Sequence, residues 1–174
     1  MSGVNIRCDV LLAKVSAAQA EATPRLTNFR GIKYSDADLH FYSQCVSFQG
    51  GAFDILYGKD EQGLGALTMG AKGFIGSTYN YIGRVGCEMI SAFEKGDLKA
   101  AHAAQRKNQQ VVDLLINSAD FGPAGCNVGK AILEARLAGK GWAGPAGPVR
   151  LPGASVAQPE KLRASLDALG FFEW

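Results

Sequence analysis

The chain has no dense basic run, no paired cysteines, and no apolar stretch close to the roughly 20 residues that span a bilayer. Its 174 residues carry 18 Lys and Arg against 16 Asp and Glu, a net charge of +2. So small a balance, with the basic residues scattered, favours neither nucleic acid nor a membrane surface as partner. The start, "MSGVNIRCDVLLAK", lacks a charged segment followed by an uninterrupted apolar stretch and a cleavage site, so no secretory signal is expected. Four cysteines, Cys8, Cys45, Cys87 and Cys126, stand far apart, and His40 and His102 are the two histidines. Without a CxxC pair no zinc site is expected, and no metal. The cysteines read as reduced, mostly buried thiols of a cytoplasmic protein.

What is present suits a globular fold: 47% apolar and 20% charged residues in a length that fits one domain. "NIRCDVLLAKVSAAQAE" spaces Ile6, Val10, Leu11 and Val15 as a helix, closed by Pro24. Residues 28–33, "NFRGIK", read as a strand. "DADLHFYSQCVSF" reads as a helix with Leu39, Tyr42 and Val46 on one face, ended by Gly50-Gly51. "AFDILYG" is a short apolar strand, "DEQGLGALTMG" a short helix, "KGFIGS" a third strand and "NYIGRVGCEMISAFEKG" a longer helix. This alternation describes βα units around a parallel sheet. After Gly96 the pattern changes: Asp97 suits an N-cap for "LKAAHAAQRKNQQVVDLLINSA". A further helix is expected at "GKAILEARLAG", then an extended loop at "GKGWAGPAGPVRLPG". A last helix should open at Pro159 and carry Leu162, Leu166 and Leu169. The expected organisation is an α/β part over 1–96 and a helical extension over 97–174, together one structural domain.

Strand periodicity puts Phe29, Gly31 and Lys33 on one face, with Lys33 the last residue of its strand. Strand ends are where barrels and open α/β sheets gather their ligands. Two more strand ends carry polar groups: Asp60 and Glu61 in "YGKDE", and Ser77, Thr78, Tyr79 and Asn80 in "GFIGSTYN". A lysine in a partly apolar pocket loses solvation for its charged form, so a neutral amine becomes available to attack a ketone. The alternative is that Lys33 pairs with Asp36 or Asp38 at the helix start. Asp60 and Glu61 read equally as acids favoured by a helix N-terminus, and "GSTYN" as a turn capped by Ser or Thr.

Taken together, "GIKYSD", "YGKDEQ" and "GSTYNYIG" resemble the pyruvate-dependent class I aldolase family that includes dihydrodipicolinate synthase, and within it the sialic acid branch. The likeness runs from about residue 2 to 115, and more weakly through "GPVRLP" to the last helix. It implies that Lys33 is the lysine forming the Schiff base with pyruvate or the substrate's keto group. It implies substrate contacts from Ser35, from Gly58, Asp60 and Glu61 along the polyhydroxyl tail, and from Gly76 and Ser77. The implied reaction is reversible retro-aldol cleavage of sialic acid to N-acetylmannosamine and pyruvate, with no metal and no added cofactor. Small-molecule sugar acid and pyruvate are then the partners, in a homotetramer.

Members of that family are complete (β/α)₈ barrels of ~250 residues, whereas this sequence begins about where their fifth strand ends. The resemblance therefore implies the C-terminal half of a TIM barrel, strands 6–8 with their helices, followed by the helical extension. Neither the family's loop for the pyruvate carboxylate nor its proton-shuttling tyrosine has a counterpart here. Such a half would leave an inner sheet face and two strand edges unpartnered. A truncated chain, an alternative start and a half that assembles with its missing N-terminal half all fit. So does a non-catalytic interaction module, or an aldolase for another 2-keto sugar acid.

Overall fold

The computed structural model describes residues 29–117, 126–137 and 158–174. The helix expected before Pro24, the "GKGWAGPAGPVRLPG" segment, and Cys8 lie outside these residues. The chain divides into two compact units, Met1–Ile75 and Gly76–Trp174. The division falls inside "GFIGSTYN", between Ile75 and Gly76.

In the first unit, β1 (Gly31–Tyr34) and β2 (Asp54–Tyr57) pair in parallel, with Lys33 opposite Leu56 and Tyr34 opposite Tyr57. The helix between them, α1 (Leu39–Ser47), makes this a βαβ unit. Lys33 is not the last strand residue as expected. Pairing continues through Tyr34, whose carbonyl accepts from the Gly58 N–H at 2.7 Å. The third expected strand, "KGFIGS", is reduced to a single bridge between Tyr57 and Phe74. Gly73 and Ile75 each hydrogen-bond Tyr57 there, at 3.1 and 2.8 Å. Among the described residues no further strand extends the sheet beyond that bridge.

Alternation along the strands decides which side is buried. Tyr34 and Tyr57 share a face with Ile55 and pack with Tyr42 and Cys45 of α1, all below a tenth exposed. The three tyrosine rings form one cluster: Tyr42 meets Tyr57 at 4.8 Å and Tyr34 at 5.2 Å, and Tyr34 stacks on Tyr57 at 6.1 Å. Such pairs add about 0.5–1.5 kcal/mol each beyond simple burial. The opposite face has no such cover among the described residues. Lys33 is exposed, Leu56 half-buried, and Ile75 47% exposed.

The start of α1 consumes the two acids that were candidate partners for Lys33. Asp38 caps the helix, its carboxylate accepting from the Phe41 N–H at 2.9 Å. Asp36 in turn accepts from the Asp38 N–H at 3.0 Å. Replacing Asp38 with alanine removes the cap, and urea unfolding should register a loss of about 1 kcal/mol.

The 3-10 turn Asp60–Gln62 leads into α2 (Gly63–Thr68). The second unit is helical: α3 (Tyr79–Glu94), α4 (Leu98–Asn117), α5 (Cys126–Leu137) and α6 (Pro159–Ala168). Asp97 caps α4 as expected, accepting from the Ala100 N–H at 2.9 Å. α3 packs on α4 and α5, and α5 on α6. Their buried residues include Ile82, Val85 and Met89 of α3, Val111 of α4, Ile132 of α5 and Leu166 of α6. Arg136 fixes the chain's last turn by donating to the Phe171 and Trp174 carbonyls. Of the cysteines whose side chains are described, Cys45 is buried and Cys87 exposed.

Candidate functional site

Lys33, Ser35, Gly58, Asp60 and Glu61 all belong to the first unit, and Gly76 and Ser77 to the second. Within the first unit the two strand ends bring Lys33, Ser35 and Gly58 together. A Cβ built on Gly58 would lie 2.3 Å from the Ser35 Oγ and 2.5 Å from the Lys33 Cε. Real side chains do not approach so closely, so Gly58 is the residue that leaves room for the lysine chain to run past the β2 terminus. The Lys33 side chain therefore passes close to the Ser35 hydroxyl and a backbone stretch without a side chain.

Lys33 makes no ion pair among the described residues, since Asp36 and Asp38 are turned to capping. Structural pairing thus fails to account for it. Its environment also differs from the expected apolar pocket: Lys33 is exposed, and the wall that would enclose it is not formed by the described residues. The physical reason is the sheet face itself, on which, among the described residues, Leu56 and Ile75 are the large apolar side chains near the lysine's register.

Asp60 and Glu61 follow on the same loop and separate in character. Glu61 pairs with Lys59 at 2.9 Å, whereas Asp60 is only 4% exposed. A carboxylate placed by helix-dipole attraction alone would remain in water, because burying charge is costly, so the dipole reading does not explain Asp60. Ser77 is exposed and its carbonyl accepts from the Asn80 side-chain amide at 3.0 Å. Thr78 occupies the N-cap position of α3 without capping it. Its hydroxyl instead donates to Asn108 of α4 at 3.1 Å, in a buried pair.

Sequence reasoning missed the tyrosine hydroxyls. Tyr34 donates to the Asp38 carbonyl at 2.7 Å and Tyr42 to the Ile55 carbonyl at 2.8 Å. The Tyr57 hydroxyl lies 2.6 Å from the Gln62 Oε1 and 3.2 Å from the Asp36 carbonyl. Burial pushes the phenols of Tyr42 and Tyr57 up from 10.0 to about 12. Both remain protonated donors at neutral pH. The unfolded chain releases these protons near pH 10, so their contribution to stability is complete below that pH. It declines as pH rises from 10 to 12, which alkaline unfolding followed by tyrosinate absorbance should show.

The second unit has an open groove of about 530 Å³ lined by residues that include Arg84, Cys87, Glu88 and Lys95. None of these four is a candidate substrate or catalytic residue from the sequence, and Arg84 and Glu88 neutralise each other at 3.2 Å.

Known proteins supply the frame for these features. The family model described as "Dihydrodipicolinate synthetase family" matches residues 12–138. The N-acetylneuraminate lyase of Mus musculus is 36% identical over 174 residues, covering 98% of this chain and 49% of that protein. N-acetylneuraminate lyase B of Xenopus laevis is 39% identical over 127 residues, 73% of this chain and 45% of that protein. The N-acetylneuraminate lyase (sialic acid aldolase) of Aliivibrio salmonicida superposes with a TM-score of 0.75 at 31% identity, covering 98% of this chain and 52% of that one. The chain thus spans about half the length of the curated relatives it matches. Its helices and small parallel sheet correspond to part of an α/β-barrel aldolase fold. By family match, by identity to lyases and by fold, this chain belongs to the dihydrodipicolinate synthetase family of aldolases.

Proposed function

We propose that the chain carries the Schiff-base half of an N-acetylneuraminate lyase, with Lys33 as the reacting amine. The observation that supports this most is the room left for Lys33: the absent Cβ at Gly58 lets its side chain pass the Ser35 hydroxyl at the strand ends, and with Asp36 and Asp38 diverted to capping it has no ion pair among the described residues. In this reading the Lys33 amine adds to the substrate's keto carbon, and water departs to leave a protonated imine. The bond between the neighbouring carbon and the hydroxyl-bearing carbon beyond it then breaks. Its electron pair flows into the imine, and the hydroxyl loses its proton as the aldehyde, N-acetylmannosamine, leaves. Protonation of the resulting enamine and hydrolysis of the imine release pyruvate and restore the amine. Ser35, Gly76 and Ser77 are assigned to substrate contacts, and Gly58, Asp60 and Glu61 to the polyhydroxyl tail. Residues 1–96 are assigned to the barrel part, β/α units 5/6 to 8, and 97–174 to its helical cover. The complete site needs the barrel's N-terminal half, supplied by a longer chain or by an assembled partner half, and the working enzyme is assigned as a cytoplasmic homotetramer.

The test is pyruvate release from N-acetylneuraminate, set against release from shorter 2-keto acids, by this chain mixed with the N-terminal half of a homologous lyase. Preference for the sialic acid by roughly tenfold or more, about 1.4 kcal/mol in barrier, is expected. Equal or reversed rates would shift the assignment to an aldolase for another 2-keto sugar acid.

A second reading is favoured by the uncovered sheet face, with Lys33 exposed and Ile75 47% exposed. It makes the chain a non-catalytic half-barrel module that docks on full-length lyase subunits. Co-elution with a full-length homologue without any pyruvate adduct would support that reading, and separate elution would count against it.

A further inference from the structure

The two loops that carry the candidate substrate contacts are tied together by one hydroxyl. β1 runs into residues 35–38 and β2 into residues 58–62. Tyr57, fully buried at the end of β2, reaches across both: its one hydroxyl proton is shared between the Gln62 Oε1 at 2.6 Å and, as the weaker branch, the Asp36 carbonyl at 3.2 Å. Gln62 directly follows Asp60 and Glu61, and Asp36 directly follows Ser35. Besides this hydroxyl, the Gly58 N–H joins the loops to Tyr34 at 2.7 Å. That bond lies close to Lys33, and the Tyr57 bond lies further out. The ring itself is held by Tyr42 at 4.8 Å and by stacking on Tyr34, so its hydroxyl has little freedom to move.

We infer that Tyr57, acting through Gln62 and the Asp36 carbonyl, is a positioning residue. It sets the spacing between the Lys33–Ser35 loop and the Asp60–Glu61 loop, and so governs recognition of a long polyhydroxylated 2-keto acid without governing condensation at the amine. The inference rests on the lyase reading and deepens it. Lys33 sits on the strand and keeps its place through the backbone ladder. The acids sit on the 3-10 turn, whose position relative to β1 depends on the Tyr57 hydroxyl. A three-carbon keto acid spans only the first of these, whereas a sugar acid spans both.

The experiment measures borohydride trapping at Lys33 in the chain mixed with the N-terminal half of a homologous lyase, with the half-saturating concentration of pyruvate and of N-acetylneuraminate determined separately for the unaltered chain, Tyr57→Phe, Gln62→Leu and Gln62→Glu. Gln62 is half-buried in a short turn, so Gln62→Leu keeps the test open should Tyr57→Phe fail to fold. For Tyr57→Phe and Gln62→Leu the half-saturating concentration of N-acetylneuraminate should rise about tenfold, the scale of one lost hydrogen bond in a buried setting. That of pyruvate should change by less than about twofold on the same scale. Gln62→Glu keeps an acceptor for the tyrosine proton and should retain most of the discrimination. A purely structural loss would raise both concentrations together, and that outcome, or no change in either, overturns the inference while leaving the lyase reading intact. Absence of trapping by the folded, unaltered chain overturns the lyase reading and this inference with it.

Discussion

Lys33→Met should abolish the pyruvate adduct while leaving the fold in place. The lysine is exposed and makes no ion pair among the described residues, so a side chain of similar length without charge should alter stability by no more than about 0.5 kcal/mol. Chemistry is another matter, because a thioether cannot form an imine. Lys59, the other lysine on this pair of strand ends, is held against Glu61 at 2.9 Å and is a poor substitute. Trapping should fall by roughly a thousandfold or more, about 4 kcal/mol of barrier. Rates of borohydride trapping, read by intact mass beside the thermal midpoint, separate the two effects. A variant that traps pyruvate as fast as the parent would remove Lys33 from the mechanism.

Gly58→Ala should act on the same amine from the opposite side. The new methyl would begin 2.3 Å from the Ser35 Oγ and 2.5 Å from the Lys33 Cε, well inside van der Waals contact. Both neighbours belong to side chains with solvent beside them, so they can move aside and the sheet can survive, at a cost of about 1–3 kcal/mol. What cannot survive is the placement of the lysine chain along the β2 terminus. A misplacement of about 1 Å typically costs on the order of a hundredfold in rate, and that is the expected loss in trapping. The backbone N–H of residue 58 stays available to Tyr34, so the loss should appear in rate with little change in secondary structure by circular dichroism. Unaltered trapping in a folded Gly58→Ala would show that the close approach is irrelevant to function.

The parts of this fold that were legible in sequence are those set by neighbours in the chain. Asp97 caps α4 and Pro159 opens α6 because caps and fixed φ act within one turn. Gly96 takes φ +75, the left-handed value that ends a helix. The strand at "KGFIGS" is short because a strand exists only through its partners, and among the described residues Phe74 bridges to Tyr57 alone in the sheet. Lys33 was misplaced by one residue for the same reason, since the ladder with β2 continues through Tyr34. The hydroxyl pairs of Tyr57 with Gln62 and Thr78 with Asn108 join residues that no local pattern connects. For Tyr57 a faint signal existed: it falls in register with Tyr34 at the end of a strand whose face is buried.

The site divides along the same line. The proximity of Lys33, Ser35 and Gly58 follows from two parallel strands ending together, which the βαβ pattern implies. The surroundings of the lysine depend on what covers the sheet face bearing Leu56 and Ile75, and a pattern of apolar residues in one segment does not say what packs on it. That is why an expected apolar pocket appears in the structure as an exposed amine.

Locating the trapped adduct tests the central claim most directly. The chain, mixed with the N-terminal half of a homologous lyase, is incubated with pyruvate and borohydride, digested with trypsin and mapped by mass spectrometry. A reduced adduct on Lys33 blocks cleavage after that residue, so the account predicts a modified peptide running from Gly31 to Lys59. An adduct confined to other lysines, or none at all in a folded chain, would contradict it.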